Sequence, residues 1–277
     1  MSVAWHSDEP PPERRVSAIG VVLAVLRAAL ILPLLAVMFS ALLLVRLVER
    51  PLFELRRPIT PTITQLFCRA AIALLGIGYA TEGRPMRGAG AVVANHSSWL
   101  DIFVLNAGDR VYFVSKSEIA GWPGIGWLAR ANGTVFIARD RREAPRQVQI
   151  FRERLATGHR LLFFPEGTST DGRRLLPFKP TLFGAFFDEA LRARMWVQPV
   201  SLRYSAPPGA DPRLYGWWGE MPFGPHLLAT LTAHPQGSVK VIYHPPLKVA
   251  DFPDRKALAR ACEAAVRGGL AGHIPEA

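Results

Sequence analysis

One apolar stretch near the N-terminus restricts the possible folds of this chain more than any other feature. Between Val16 and Val45 the single charged residue is Arg27, and the 18 residues that follow it carry no charge and include Pro33. As a helix, this uncharged run would be about 27 Å long, close to the roughly 30 Å of a bilayer's hydrocarbon core. We therefore expect residues 16–50 to form a helical membrane anchor that spans the bilayer or dips into it and returns. A signal peptide is less well supported, because the stretch is long and no small-residue cleavage site follows it cleanly.

The segments on either side of the anchor differ in character. Residues 1–15 are polar and proline-rich, which predicts disorder. The sequence pattern of residues 51–76 predicts a proline-containing linker followed by an amphipathic helix over 62–75. This helix would lie either on the bilayer or on the protein core. Residues 77–277 form the main domain. The larger group of arginines follows the uncharged run and favours a cytoplasmic main domain; its members are Arg46, Arg50, Arg56 and Arg57.

Composition narrows the class of protein further. The 277 residues allow one sizeable domain with an appended element, and the formal charge of +11 indicates an anionic partner. No zinc-finger or RNA-binding signature accompanies this charge, so a membrane surface or an acidic protein is favoured over nucleic acid. Cys68 and Cys262 are far apart and share no metal-type spacing with the histidines, which argues against a disulfide framework and favours a reducing compartment.

From residue 77 onward, short apolar runs alternate with helical patterns, which predicts an α/β domain with a mixed sheet flanked by helices. Helices are predicted over 97–107, 144–157, 181–193 and 254–268. Strands are predicted over 77–82, 89–94, 111–115, 134–138, 160–164, 196–204 and 239–244.

The segment from Ala94 to Asp101 carries the clearest chemical signal. It follows an apolar strand-like run, and its serines are typical of a strand passing into a helix. His96 and Asp101 are five residues apart, so their side chains converge only if the backbone bends between them. A carboxylate on one imidazole nitrogen fixes the tautomer and leaves the other nitrogen able to accept a proton.

Three further motifs follow strand-like runs, where α/β proteins commonly form ligand sites. They are Gly133-x2-Phe136-Ile137-x-Arg139, Phe164-Pro165-Glu166-Gly167-Thr168 and Val197-x-Pro199-Val200. With His96-x4-Asp101 they resemble, in order and spacing, the four blocks of the glycerolipid acyltransferase family, whose type members are the 1-acylglycerol-3-phosphate acyltransferases. The resemblance covers about residues 77–245.

This resemblance implies transfer of a fatty acyl group from an acyl carrier protein or coenzyme A thioester to a lipid hydroxyl, with no further cofactor. His96 would be the general base and Asp101 its orienting partner. Backbone N–H groups near a helix start or in the Gly167 loop would stabilise the oxyanion. Substrate binding would fall to Arg139, Glu166, Gly167, Thr168, Ser169 and Lys179.

One position bears on the choice of acceptor. Family members that act on phosphate-bearing acceptors commonly have an arginine after Glu-Gly-Thr, where this chain has Ser169. The surrounding run is more similar to bacterial lyso-ornithine lipid O-acyltransferases, which implies an enzyme on the cytoplasmic side of a bacterial inner membrane. Lysophosphatidic acid stays an alternative acceptor, because Arg173 or Arg174 could supply the missing charge.

Two other classes of function compete with acyl transfer. A metal-dependent hydrolase would use His96, Asp101 and Glu166 as ligands, but they match no motif of known metal geometry. A non-enzymatic membrane or nucleic-acid binding protein is supported only by the charge and the anchor.

Overall fold

The first helix is the longest element of this computed structural model, which describes residues 5–12, 16–138 and 141–274. It runs from Ala18 to Phe53 as 36 residues, through both Pro33 and Pro51, and is about 54 Å long. Within the described ranges it is the one helix long and apolar enough to cross a membrane, and only 6% of its most apolar window is buried in the protein. Its continuity through Pro33 leaves no turn at which the apolar run doubles back.

The main domain contains a mixed sheet of eight strands flanked by helices, which confirms the predicted fold class. The strand order is β1-β7-β6-β2-β5-β3-β4, and β8 pairs with β6. Neighbours along this path are parallel except β6 and β7. The strands are β1 Gly78–Glu82, β2 Gly90–Ala94, β3 Tyr112–Lys116, β4 Val135–Ile137, β5 Arg160–Phe163, β6 Trp196–Ser205, β7 Ser238–Tyr243 and β8 Leu247–Lys248. All seven predicted strands occur, while the short β8 was not predicted.

Eight α-helices lie in the described ranges, and the prediction of a helix over 181–193 is wrong. That segment forms a 3-10 turn over Leu182–Phe187 and then the four-residue α6. The break falls at Asp188, whose extended backbone lets its side chain cap α6 at Ala190 N. The helices are α1 Ala18–Phe53, α2 Thr60–Leu75, α3 Leu100–Gly108, α4 Ile125–Ala131, α5 Ala144–Ala156, α6 Glu189–Arg192, α7 Phe223–Thr232 and α8 Arg255–Leu270.

The centre of the sheet positions the chemistry-bearing segments. Strands β2 and β5 are adjacent and parallel, so their carboxyl ends lie at the same edge, where His96 and Glu166 follow them. Strand β2 is entirely buried, and Asn95 extends its pairing with β6. The Asn95 side chain donates to Leu202 O at 3.0 Å and accepts from Leu202 N at 2.8 Å. This amide fixes the point at which the chain leaves the sheet.

Pro199 lies where β6 changes its neighbour along one edge from β8 to β7, so its missing N–H interrupts neither of these two pairings. Residues before it pair with β8 and residues after it pair with β7. The buried Gln198 side chain bridges the gap by donating to Arg84 O and His244 O and accepting from Met86 N. A residue without an N–H is therefore tolerated in the interior of the sheet.

Two buried charges attach α1 to the rest of the protein. Arg27 donates from Nη1 to the carbonyls of Leu231 and Ala233 at 2.5 and 3.0 Å, at the C-terminal end of α7. Glu49 accepts from the N–H groups of Ile59 and Thr60 at 2.6 and 3.1 Å, at the start of α2. Each charge satisfies helix-terminal groups that have no partner within their own helix.

Part of the N-terminal segment that the sequence predicts to be disordered makes contacts in the structure. Glu9 forms an ion pair with Arg213 at 2.9 Å, and Arg213 also donates to Pro10 O. The Trp5 ring lies 6.3 Å from the Trp218 ring. A large aromatic side chain near the N-terminus gives this otherwise polar segment a surface that can pack on the domain.

The Glu49 cap generates a stability prediction. We expect Glu49→Ala to lower the free energy of unfolding by about 1–3 kcal/mol, because buried N–H donors at the start of α2 lose their acceptor. Thermal unfolding in detergent measures this effect. The isosteric Glu49→Gln retains an acceptor oxygen and should lose less; equal stability of the alanine variant and the wild type would contradict the assignment.

Candidate active site

The turn between β2 and α3 brings His96 and Asp101 together. Asp101 lies in the first turn of α3, and its Oδ2 is 2.7 Å from His96 Nδ1. The carboxylate is fully buried, while one fifth of the His96 side chain is exposed. A buried charge and a partly exposed ring match a pair in which one member orients and the other meets a substrate.

The remaining bonds of Asp101 fix the tautomer of His96. Its Oδ2 also accepts from the N–H groups of Ser97 and Ser98 at 2.7 and 3.0 Å. Because the carboxylate can only accept, Nδ1 carries the imidazole hydrogen and Nε2 keeps its lone pair. Among the residues that the structure describes, none hydrogen-bonds to Nε2. The arrangement can therefore take a proton at Nε2.

Two residues that sequence reasoning missed hold this pair in place. Tyr204 donates from its hydroxyl to Asp101 Oδ1 at 2.8 Å, and Phe164 stacks on the His96 ring with centroids 3.9 Å apart. Burial, and then the nearby Asp101 charge, raise the pKa of Tyr204 well above its usual value, so the phenol remains a donor. Phe164 belongs to one of the four motifs, but the sequence pattern does not predict its contact with His96. No local signal links Tyr204 to Asp101, because they are 103 residues apart.

Glu166 binds backbone, not solvent. Its Oε1 accepts from His96 N at 2.7 Å and its Oε2 accepts from Leu176 N at 2.8 Å. The residue is 1% exposed, and burial raises the pKa of Glu166 to about 8, against the opposing effect of the two N–H donors. This carboxyl group joins the end of β5 to the backbone of the His96 turn.

The loop that follows Glu166 wraps around the same turn. Thr170 N donates to His96 O at 3.0 Å, and Gly167 adopts a φ of +76°. A Cβ atom on Gly167 would lie 3.1 Å from Lys179 Nζ, so the ammonium group sits over this glycine. Ser169 is buried, and Thr168 is half-buried in the same loop. The structure thus brings five of the predicted binding residues together beside His96: Glu166, Gly167, Thr168, Ser169 and Lys179.

Arg139 lies outside the described residues. Strand β4 ends at Ile137, two positions earlier in the sequence. One of the two arginines that could supply charge near Ser169 already has partners. Arg174 pairs with Asp171 at 3.0 Å, and its guanidinium carbon lies 4.5 Å from the centroid of the Trp5 ring.

Within residues 5–12, 16–138 and 141–274, no group of three His, Cys, Asp or Glu side chains is placed to hold a metal ion. The carboxyl groups of Asp101 and Glu166 accept hydrogen bonds from protein N–H and O–H donors instead.

Comparison with known proteins defines the class to which this site belongs. Residues 79–203 match the sequence profile of the Acyltransferase family. The chain is 55% identical over 266 residues to a lyso-ornithine lipid O-acyltransferase of Rhodobacter capsulatus, with 96% of each chain covered. It is 38% identical to the enzyme of the same name from Brucella abortus, covering 78% of this chain and 86% of that one. The protein therefore belongs to the acyltransferase family, as the four motifs predict, and is an acyltransferase of the type that acylates lysolipids.

More distant relatives agree with this assignment. A 1-acyl-sn-glycerol-3-phosphate acyltransferase of Neisseria gonorrhoeae is 39% identical over 140 residues, which is 49% of this chain and 53% of that one. The crystal structure of the 1-acyl-sn-glycerophosphate acyltransferase of Thermotoga maritima superposes with a TM-score of 0.57 at 21% identity, covering 88% of this chain and 96% of that one. That likeness confirms the fold.

The Tyr204 hydrogen bond generates a kinetic prediction. Tyr204→Phe leaves Asp101 Oδ1 buried without its donor, so we expect kcat to fall about tenfold to a hundredfold, equivalent to a charged hydrogen bond of about 1.5–3 kcal/mol, with little change in KM. Steady-state kinetics on purified protein in detergent measures both constants. Tyr215→Phe is the matched control, because this neighbouring buried hydroxyl bonds Gln236 and Gly237 instead. Equal losses of kcat in the two variants would contradict a positioning role.

The buried Glu166 generates a pH prediction. Its pKa is about 8 in the folded protein and about 4.3 when unfolded, so the folded state binds more protons between these values. Stability from this group is therefore present below about pH 4.3 and is lost as pH rises to about 8. Chemical denaturation at a series of pH values across this range measures the free energy of unfolding. As pH rises, this free energy should fall less steeply in Glu166→Gln than in the wild type. Parallel curves for the variant and the wild type would mean that Glu166 is ionised in both states.

Proposed function

We propose that the protein transfers a fatty acyl group from an acyl carrier protein or coenzyme A thioester to the hydroxyl of a lyso-ornithine lipid. The acceptor is suggested by the name of the Rhodobacter capsulatus relative, which matches this chain over nearly its full length. The observation that carries the mechanism is the 2.7 Å contact between His96 Nδ1 and Asp101, which leaves Nε2 to face the acceptor.

The reaction follows from this geometry. His96 Nε2 removes the hydroxyl proton as the acceptor oxygen attacks the thioester carbonyl carbon, and Asp101 stabilises the imidazolium that forms. The tetrahedral intermediate then breaks its C–S bond, and the imidazolium returns the proton to the departing thiolate. The products are the acylated lipid and the free thiol of the carrier.

Substrate binding is assigned to the loop beside His96 and to Arg139. Lys179 and Arg139 supply positive charge, while Gly167, Thr168 and Ser169 belong to the loop itself. Glu166 acts by fixing this loop against the His96 backbone. The N–H groups of Ser97, Ser98 and Gly167 already bond Asp101 and Phe164 O, so the oxyanion takes its donors from other groups.

The acceptor preference has structural support in the same loop. Ser169 replaces an arginine, and Arg174 is paired with Asp171 and stacked on Trp5, so its charge is already engaged. Lysophosphatidic acid is the second candidate, favoured by the similarity to the Neisseria gonorrhoeae enzyme over half of this chain.

We assign the enzyme to the cytoplasmic face of a bacterial inner membrane. Support comes from the exposed apolar surface of α1, from the arginines that follow its uncharged run and from the bacterial sources of the two similar lyso-ornithine lipid O-acyltransferases. A lipid acceptor is then available in the same bilayer that holds the anchor.

Parallel acylation assays test this proposal. Membranes containing the protein are incubated with labelled acyl carrier protein thioester and either lyso-ornithine lipid or lysophosphatidic acid. We expect acylation of the ornithine lipid, and its loss in His96→Ala because the base is absent. Chelators should leave the activity unchanged, whereas their inhibition would favour the metal-dependent hydrolase.

Each outcome separates the candidates. Product from lysophosphatidic acid alone would move the assignment to the second acceptor. Retained acylation in His96→Ala would exclude His96 as the base. If the wild-type protein acylates neither acceptor, acyl transfer from an acyl carrier protein thioester is contradicted.

A further inference from the structure

A cavity of about 650 Å³ lies between the N-terminal segment and α7, and the mechanism above does not use it. One wall comes from residues 6, 7, 9–12 and 16, and the other from residues between Trp218 and Ala229. Both walls are mainly apolar, with prolines on each side. The volume falls within the range of about 300–1,000 Å³ for small-molecule sites.

The second wall of this cavity is hydrogen-bonded to the catalytic turn. Trp217 N, next to the lining residue Trp218, donates to Ser97 O at 2.9 Å. His226, which lines the cavity, accepts from Trp99 Nε1 at 2.9 Å and bonds Gly216 O at 2.8 Å. Ser97 and Trp99 lie between His96 and Asp101, so this wall of the cavity is attached to the turn that carries the proposed base.

The same cavity borders the apolar surface of the anchor. Val16 lines it just before α1 begins, and α1 packs against α7. Large apolar side chains at this border are exposed, with Val16 at 51%, Ile19 at 62% and Leu228 at 53%. A hydrocarbon chain can therefore reach this mainly apolar cavity from the apolar surface of α1, and the charged residues among its lining are Glu9 and Glu220.

We propose that this cavity binds the hydrocarbon chain of the lyso-lipid acceptor, with one wall from residues 6–12 and Val16 and the other from the segment between Trp218 and Ala229. The inference rests on the proposed function. We assign the cavity to the acceptor and not to the donor, because the acceptor is dissolved in the bilayer beside α1. The acyl chain of the donor arrives on a soluble carrier. The Glu9 to Arg213 ion pair holds the N-terminal wall against the domain.

Acceptor chain length tests the assignment. Purified protein in detergent is given acceptors with acyl chains of roughly ten and roughly sixteen carbons, because each buried methylene adds binding energy. Ala229→Trp fills the cavity and should lower kcat/KM for the long acceptor at least about tenfold relative to the short one. The donor chain-length profile should stay unchanged. Ala264→Trp, at an exposed position of α8, is the matched control and should change neither profile.

The remaining outcomes decide against the proposal. A shift in the donor profile would assign the cavity to the donor chain, and equal losses for both acceptors would exclude chain binding there. Met221→Ala enlarges the same cavity and should raise the relative rate on the long acceptor; it provides the test if Ala229→Trp folds poorly. If the wild type acylates only lysophosphatidic acid, the proposed acceptor fails, and the same chain-length series in that lipid still tests the cavity.

Discussion

The structure of the candidate site depends on the burial of the Asp101 carboxylate. An isolated charge in the protein interior costs several kcal/mol, and this one is offset by hydrogen bonds from Ser97 N, Ser98 N, Tyr204 and His96. These donors come from the β2–α3 turn and from β6. The carboxylate therefore fixes the His96 ring only when the turn and the sheet are both formed, so the geometry of the candidate site and the folding of the domain depend on the same bonds.

A second carboxyl group connects the turn to the next strand. Glu166 bonds His96 N and Leu176 N, and Thr170 bonds His96 O, so both backbone groups of His96 are held by the loop after β5. Its backbone is thus held by hydrogen bonds, and its ring is held by stacking on Phe164. Such preorganisation lowers the cost of reaching a productive geometry.

The sequence predicted local features better than long-range contacts. The strands were found because each is a short apolar run, and the pairing of His96 with Asp101 followed from five-residue spacing at a bend. Tyr204 was missed because its contact with Asp101 spans 103 residues. The helix predicted over 181–193 failed because Asp188 uses its side chain as a cap and ends the apolar periodicity. Helix α7 was not predicted. Pro222 directly before it is a residue often found at a helix start, but the local sequence does not show what the apolar face of the helix packs against.

Helix α7 links α1 to the turn between β2 and α3. At its C-terminal end, Leu231 O accepts from Arg27, the single charge in the apolar stretch of α1. Toward its N-terminal end, His226 accepts from Trp99, three residues after His96. Arg27 is expensive to bury in an apolar helix, and its bonds to terminal carbonyls of α7 offset that cost. Arg27 thus helps to hold α7 against α1, and the Trp99–His226 bond joins α7 to the turn that carries His96.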